Sequence, residues 1–207
     1  MHKGEKKKQE IRIGDYLLLL LYAYNEAPIK GRTRLQKAVF LLEKEALKRK
    51  KNRKNSKLVN TFSFFPYNYG PFSKKLMEFV ELFENLELIK IKEEALDDEG
   101  EDDNTIFMNE LLQIKDLEWV DNLEIEDTNT LTQPVYIITE KGKNYLREHN
   151  LPNNLDLTTW NEIQRIKKFC VSNPLKIILK YVYIKYPESA NNSKIREKLL
   201  KETEWQF

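Results

Sequence analysis

Basic residues at helical spacing are the side chains of this chain with the clearest potential for binding chemistry. Between residues 35 and 46, apolar residues recur at the spacing of one helix face, which predicts an amphipathic helix that begins near Arg32 or Thr33. The opposite face would carry a basic stripe, which consists of Arg34, Lys37, Lys44, Lys48 and Lys51. Lysine and arginine bind phosphate oxygens, so the stripe and Arg32 together predict a phosphate-binding surface. A solvated helix face is the alternative interpretation.

Two further lysines lie at the start of the next predicted helix, which covers residues 71–85. Gly70 and Pro71 suit the cap and the first position of this helix. Lys74 and Lys75 would then lie where a recognition helix meets base edges in the major groove. Three acidic residues of the same outer face would repel the DNA backbone: Glu78, Glu81 and Glu84.

An aromatic cluster precedes that helix. Its members are Phe62, Phe64, Phe65, Tyr67, Tyr69 and Phe72. Aromatic rings can stack on exposed bases, and Tyr67 and Tyr69 flank a turn, which makes these two the candidates for base contact. Packing of the whole cluster in the core beneath a loop is the alternative.

The charge of the chain is strongly bipolar, although the net charge is only +2. Residues 93–127 contain fifteen acidic residues and one basic residue, Lys115. The candidates for binding a basic partner are Asp97, Asp98, Glu99, Glu101, Asp102 and Asp103. A calcium-binding loop does not fit. With Gly100 at the sixth loop position, Ala95 and Ile106 occupy the first and twelfth, where neither can ligate the ion.

Residue types suited to catalysis or metal binding are scarce. His2 is expected in a terminal tail and His149 at a helix end, so neither a His-based triad nor a zinc site is indicated. Cys170 has no second cysteine with which to form a disulfide in the chain, and it is expected to be a small buried residue. We therefore expect no catalytic residues, no metal and no cofactor.

The elements that must position these residues follow the order helix, turn, helix and β-ribbon. A first helix over residues 14–25 is apolar on all sides in its middle, so it would be central to the core or to a dimer interface. Residues 88–92 and 135–138 are predicted to pair as strands, and Thr139 is predicted to cap a helix over residues 140–148.

This plan predicts a mainly α protein with a small β-ribbon (α+β). Specifically, it predicts a winged helix-turn-helix with a long acidic insert in the wing and a C-terminal helical extension. The predicted divisions are a basic tail (1–10), a winged-helix-like domain (11–150) that contains the insert (93–133), and the extension (151–207).

Three segments of the chain resemble a group of prokaryotic proteins. They are GRTRLQKAVFLLEK (31–44), YNYGPFSKKL (67–76) followed by ELFENLELI (81–89), and YIITEKGKNYL (136–146). Together they are similar to small winged-helix-like proteins of the YwgA type and to antitoxins with a SocA-like (Panacea) domain. The resemblance implies regulatory or antitoxin-like work without catalysis, and the antitoxins of this group act partly by binding a protein.

The leading hypothesis is a cytoplasmic winged-helix regulator that binds double-stranded DNA, such as an antitoxin or control protein of a defence or toxin–antitoxin locus. The alternative is a non-catalytic interaction module, an antitoxin or adaptor, that binds a protein partner such as a toxin through the acidic insert. No membrane association is expected, because the apolar run at 16–24 has nine residues and a span needs about 20. A homodimer is one expected arrangement, since winged helices often pair to read two half-sites.

Overall fold

The chain forms a helix-rich fold with a small antiparallel sheet, and the computed structural model describes residues 11–47, 61–95 and 132–201. The first of these ranges contains α1 (Asp15–Tyr22), β1 (Ile29–Lys30), α2 (Arg32–Leu41) and a π-helical segment (Leu42–Leu47) that continues α2. The second contains β2 (Phe65–Tyr67), β3 (Gly70–Phe72), α3 (Lys74–Asn85) and β4 (Ile89–Ala95).

The third range begins with one strand and is otherwise helical. It contains β5 (Thr132–Ile138), α4 (Glu140–Glu148), α5 (Leu151–Asn154), α6 (Leu157–Ser172), α7 (Leu175–Lys185), a 3₁₀ turn (Pro187–Ala190) and α8 (Arg196–Lys201). The predicted α+β class, mainly helical with little sheet, is confirmed.

The sheet has three antiparallel strands in the order β1–β5–β4. The predicted pairing of residues 88–92 with 135–138 is confirmed, because Ile91 lies opposite Tyr136 and Lys92 opposite Val135. Strand β1 was not predicted, since residues 26–31 were expected to form only a turn. Ile29 lies opposite Tyr136 on the other edge of β5, so β5 is the central strand.

Helix α1 lies in the middle of the core, as its apolar run predicted. Each residue from Tyr16 to Leu21 is at most 1% exposed. Helices α4 and α6 and strand β5 pack against α1, so elements of the same chain cover its apolar surface. This surface is therefore used by the core and is not available as a dimer interface.

The helices after residue 150 contribute to the same core as the elements before it. Helix α6 packs against α1, α2 and the π-helical segment, and α7 packs against α2. Ile163, Ile166 and Ile178 are buried in one hydrophobic cluster with residues of α1 and α2. As a consequence, α2 is covered from several sides.

The predicted cap of α4 is correct, whereas the predicted start of α3 is wrong. Thr139 caps α4 as predicted, since its Oγ1 accepts a hydrogen bond from the Gly142 N–H at 3.0 Å. Gly70 and Pro71 do not begin α3. They form β3, which pairs with β2, and Ser73 is the cap, with its Oγ accepting from the Leu76 N–H at 2.9 Å. Serine is the better cap because its side-chain oxygen satisfies a helix N–H that glycine cannot.

Candidate functional site

The basic stripe predicted on α2 is not one exposed surface. Lys37 is 2% exposed, and its Nζ donates a hydrogen bond to the Pro71 carbonyl at 3.1 Å. The Arg34 guanidinium donates to the carbonyls of Cys170 and Asn173 at 2.5 and 2.6 Å. The prediction that Lys37 lies on an outer face is wrong, because β3 and helices α6 and α7 pack around α2. Arg34 ties α2 to the end of α6.

The remaining residues predicted for this surface are Arg32, Lys44, Lys48 and Lys51. Lys44 is half-buried, and its Nζ lies 5.4 Å from the centroid of the Phe40 ring. Lys48 and Lys51 lie outside the described residues. Arg32, at the first position of α2, is half-buried.

Two segments that carry the family resemblance meet at the junction of α2 and α3. The Gln36 side chain donates to the Ser73 carbonyl at 3.1 Å and accepts from the Ser73 N–H at 2.9 Å. The Lys37 Nζ donates to the carbonyl of Pro71, which lies two residues before Ser73. The Ser73 hydroxyl donates to the Phe62 carbonyl. Because Gln36 and Ser73 are both buried, these bonds hold the start of α3 against α2.

A cleft of about 520 Å³ lies between the start of α2, the β2–β3 hairpin and the first half of α3. Its lining residues include five of the ten residues predicted to bind nucleic acid, namely Arg32, Lys37, Tyr67, Tyr69 and Lys74. The remaining lining residues are Thr33, Gln36, Phe65, Gly70, Phe72, Met77, Glu78 and Glu81. The cleft is therefore the place where the structure brings most of the described candidates together.

The aromatic cluster divides between this cleft and the core. Phe65, Tyr67 and Phe72 contact one another with ring centroids 5.4 to 5.9 Å apart, and all three line the cleft. Tyr67 is half-buried. Tyr69 is only 6% exposed, so the prediction that it is exposed for stacking is wrong. The next residue, Gly70, has a φ of +83° and packs so closely on Tyr183 that a Cβ would lie 2.6 Å from that ring.

The outer face of α3 mixes acidic and apolar residues. Lys74 is exposed and Lys75 is half-buried at the start of the helix. Glu78, Glu81 and Glu84 are exposed, as predicted. Leu82 and Leu86 are each 47% exposed, so the prediction from helical spacing that Leu86 faces the core is wrong.

Sequence reasoning did not identify one buried carboxylate, that of Glu45 in the π-helical segment that continues α2. Glu45 is 7% exposed and forms ion pairs with Arg165 of α6 and, at 2.9 Å, with Lys185 of α7. The hydroxyls of Tyr181 and Tyr186 donate to the same carboxylate at 3.0 and 3.1 Å. Helical spacing cannot indicate this cluster, because the residues that bind Glu45 lie at least 120 residues further along the chain.

The acidic candidates Asp97, Asp98, Glu99, Glu101, Asp102 and Asp103 lie outside the described residues. The described chain before them ends with β4 at Ala95, and the described chain after them begins with β5 at Thr132. In the described ranges, no three His, Cys, Asp or Glu side chains are grouped so that they could hold a metal ion.

No known protein family matches the chain, and no curated protein or solved structure does so either. Among the helices of the described ranges, none has both the length and the apolar character needed to cross a bilayer.

Proposed function

We propose that the protein is a binding module that holds a basic polypeptide partner on the outer face of α3. The observation that carries this proposal is the composition of the exposed part of this helix, where the carboxylates of Glu78, Glu81 and Glu84 and the side chains of Leu82 and Leu86 are all open to solvent. Exposed leucines on the same helix as exposed carboxylates are complementary to a partner surface with aliphatic and basic side chains. The leucines would supply the buried centre of the interface, and the carboxylates its polar rim.

Two features of the sequence support the same partner chemistry. The acidic run at 97–103 follows β4 directly, and like the α3 face it would attract a basic surface. The resemblance to SocA-like antitoxins also favours a protein partner, because members of that group act partly by binding a protein. In this proposal, the basic stripe on α2 does not contact the polypeptide, since Lys37 is buried and Arg34 is bonded within the fold.

The test of this proposal compares one substitution at two exposed leucines. Leu82→Lys is expected to weaken capture of the partner by about tenfold or more, because losing a central apolar contact costs more than about 1 kcal/mol and the new charge repels a basic surface. Leu157→Lys is the matched control, because Leu157 is 79% exposed at the start of α6. The measurement is quantitative co-purification of polypeptides with each tagged variant and with the unsubstituted protein.

The proposal expects a basic polypeptide that is recovered with the unsubstituted protein and with Leu157→Lys, and largely lost with Leu82→Lys. Equal recovery of the same polypeptide by both variants would contradict it. So would recovery of nucleic acid with no stoichiometric polypeptide.

A second candidate function is duplex DNA binding by a winged helix. The observation that favours it is the order of elements, in which α1, α2 and α3 precede the β4–β5 ribbon. Lys74 at the start of α3 and Lys90 and Lys92 on β4 are exposed and could contact phosphates. The carboxylates of Glu78, Glu81 and Glu84 oppose entry of α3 into a groove, which is why we rank this candidate second.

Lys74→Glu/Lys90→Glu tests the DNA candidate by charge reversal. If this surface binds duplex DNA, the double variant should lose measurable binding at moderate salt. The plot of the logarithm of the association constant against the logarithm of the salt concentration should become less steep, by about one in slope for each phosphate contact removed. Fluorescence anisotropy with a labelled random-sequence duplex measures both. Lys168→Glu, at an exposed lysine of α6, is the control. Failure of the unsubstituted protein to bind the duplex at low salt eliminates the candidate.

A further inference from the structure

Lys37 is one of the residues that line the cleft, and its buried amine has a single hydrogen-bond acceptor within the described ranges. An ammonium group has three N–H donors, and within the described ranges only the Pro71 carbonyl accepts from it, at 3.1 Å. Burial lowers the pKa of Lys37 to about 7, and no carboxylate of the described chain offsets this effect. A buried ammonium with unused donors is costly, so a ligand that accepts from it would gain binding energy.

The cleft around Lys37 has apolar walls on two sides. The Phe65, Tyr67 and Phe72 rings of the hairpin form one wall, and Met77 of α3 contributes to another. A volume of about 520 Å³ lies within the range of small-molecule sites. Such sites combine mostly apolar walls with a few polar groups that fix the orientation of the ligand.

We propose that the cleft binds a small aromatic monocarboxylic acid, whose ring packs between the hairpin and Met77 and whose carboxylate accepts hydrogen bonds from Lys37. The carboxylate supplies both the negative charge and the acceptors that Lys37 lacks within the chain. Arg32 and Lys74 line the same cleft and add positive charge. Glu78 and Glu81 line it as well and oppose a second negative charge, which favours a ligand that carries only one. This inference does not depend on the partner proposed for α3.

Proton uptake distinguishes this mode of binding from simple apolar capture. Above pH 7 the amine of Lys37 is mostly neutral in the free protein, whereas a bound carboxylate favours its ammonium form. Binding must then take up a proton, so affinity falls as the pH rises above 7, with a limiting slope of about tenfold per pH unit. Arg32, Tyr67, Tyr69, Lys74, Glu78 and Glu81 face the same space, so a Lys37 variant is needed to assign the proton.

The experiment compares 2-naphthoate with its neutral amide, 2-naphthamide, by titration calorimetry between pH 7 and 9. We expect the unsubstituted protein to bind naphthoate at least tenfold more tightly than naphthamide at pH 7, and to lose this preference progressively towards pH 9. Buffers with different ionisation enthalpies should report proton uptake for naphthoate and none for the amide. Lys37→Met should remove both the preference and the proton uptake, while Lys75→Met, at a lysine that does not line the cleft, should keep them.

The measurements on the unsubstituted protein test the proposal even if Lys37→Met does not fold. Equal affinity for the acid and the amide at pH 7, or naphthoate binding without proton uptake, overturns it. A folded Lys37→Met protein that keeps the preference for naphthoate overturns it as well. The absence of binding by either probe at millimolar concentration has the same consequence.

Discussion

Replacing Glu45 with alanine should lower the free energy of unfolding by about 1–3 kcal/mol, because two half-exposed cations and two hydroxyls at the junction of three helical elements lose their shared carboxylate. The loss exceeds that of a surface ion pair because the Glu45 side chain is only 6% exposed. Urea unfolding monitored by circular dichroism at neutral pH measures it. Glu197→Ala is the control, since Glu197 forms an exposed pair with Lys201 and should change stability by less than about 0.5 kcal/mol.

The pH dependence of stability provides a second test of the Glu45 cluster. Burial of Glu45 acts against its ionised form, but hydrogen bonds from Lys185 and Tyr181 and the charges of Lys185 and Arg165 outweigh it, so its pKa lies below the ordinary value of 4.5. A lowered pKa adds stability that is present above the unfolded value and is lost as the pH falls through the folded value. The unsubstituted protein and Glu45→Gln should therefore differ most above pH 4.5 and approach each other at lower pH. A difference that stays constant with pH would show that the charge of Glu45 is not what stabilises the junction.

Replacing Lys167 with methionine should stabilise the protein by about 1–4 kcal/mol at pH 6. Lys167 lies in α6, is fully buried, and its Nζ meets no hydrogen-bond partner within the described ranges. Burial lowers its pKa to about 7, an effect that Cys170 opposes only in part. Methionine keeps a long flexible side chain at this position and removes the charge that must lose its hydration on folding.

The stabilisation by Lys167→Met should depend on pH in a defined direction. Because the folded pKa is below the unfolded value of 10.5, the cost of burying Lys167 is largest below pH 7 and declines as the pH rises towards 10.5. Thermal unfolding at pH 6 and pH 9 should therefore show a larger gain at pH 6. Lys168→Met, at the exposed neighbour in the same helix, should shift stability by less than about 0.5 kcal/mol at either pH. A destabilised Lys167→Met protein at pH 6 would mean that Lys167 has a favourable partner when charged.

Local patterns were sufficient to predict several elements and one cap. Alternation of apolar and polar residues predicted the pairing of β4 with β5, and a threonine before Glu140 predicted where α4 begins. Both signals act between near neighbours in the chain or along one strand, so they can be read without knowledge of the rest of the fold. The same approach failed at Pro71, where a residue suited to a helix start pairs with β2 instead.

The candidate site was predicted only in part, because spacing along a helix does not say how many of its faces are covered. Lys37 fits an exposed stripe by its position on α2, yet β3 brings the Pro71 carbonyl to its Nζ. Arg34 fits the same stripe, yet the end of α6 supplies two carbonyls that bind it. Lys74 and the three glutamates of α3 were placed correctly on the surface, because no other described element covers that face.

By itself, the sequence determined the helix-rich class, the central position of α1, the antiparallel ribbon and the acidic outer face of α3. Each follows from the types of residues that are close in the chain. Only the tertiary structure decided that Lys37, Glu45 and Lys167 are buried and that a cleft opens between α2, the hairpin and α3. The physical reason is that burial of a charged side chain depends on groups supplied by distant segments, and its cost or benefit exists only once those segments have packed together.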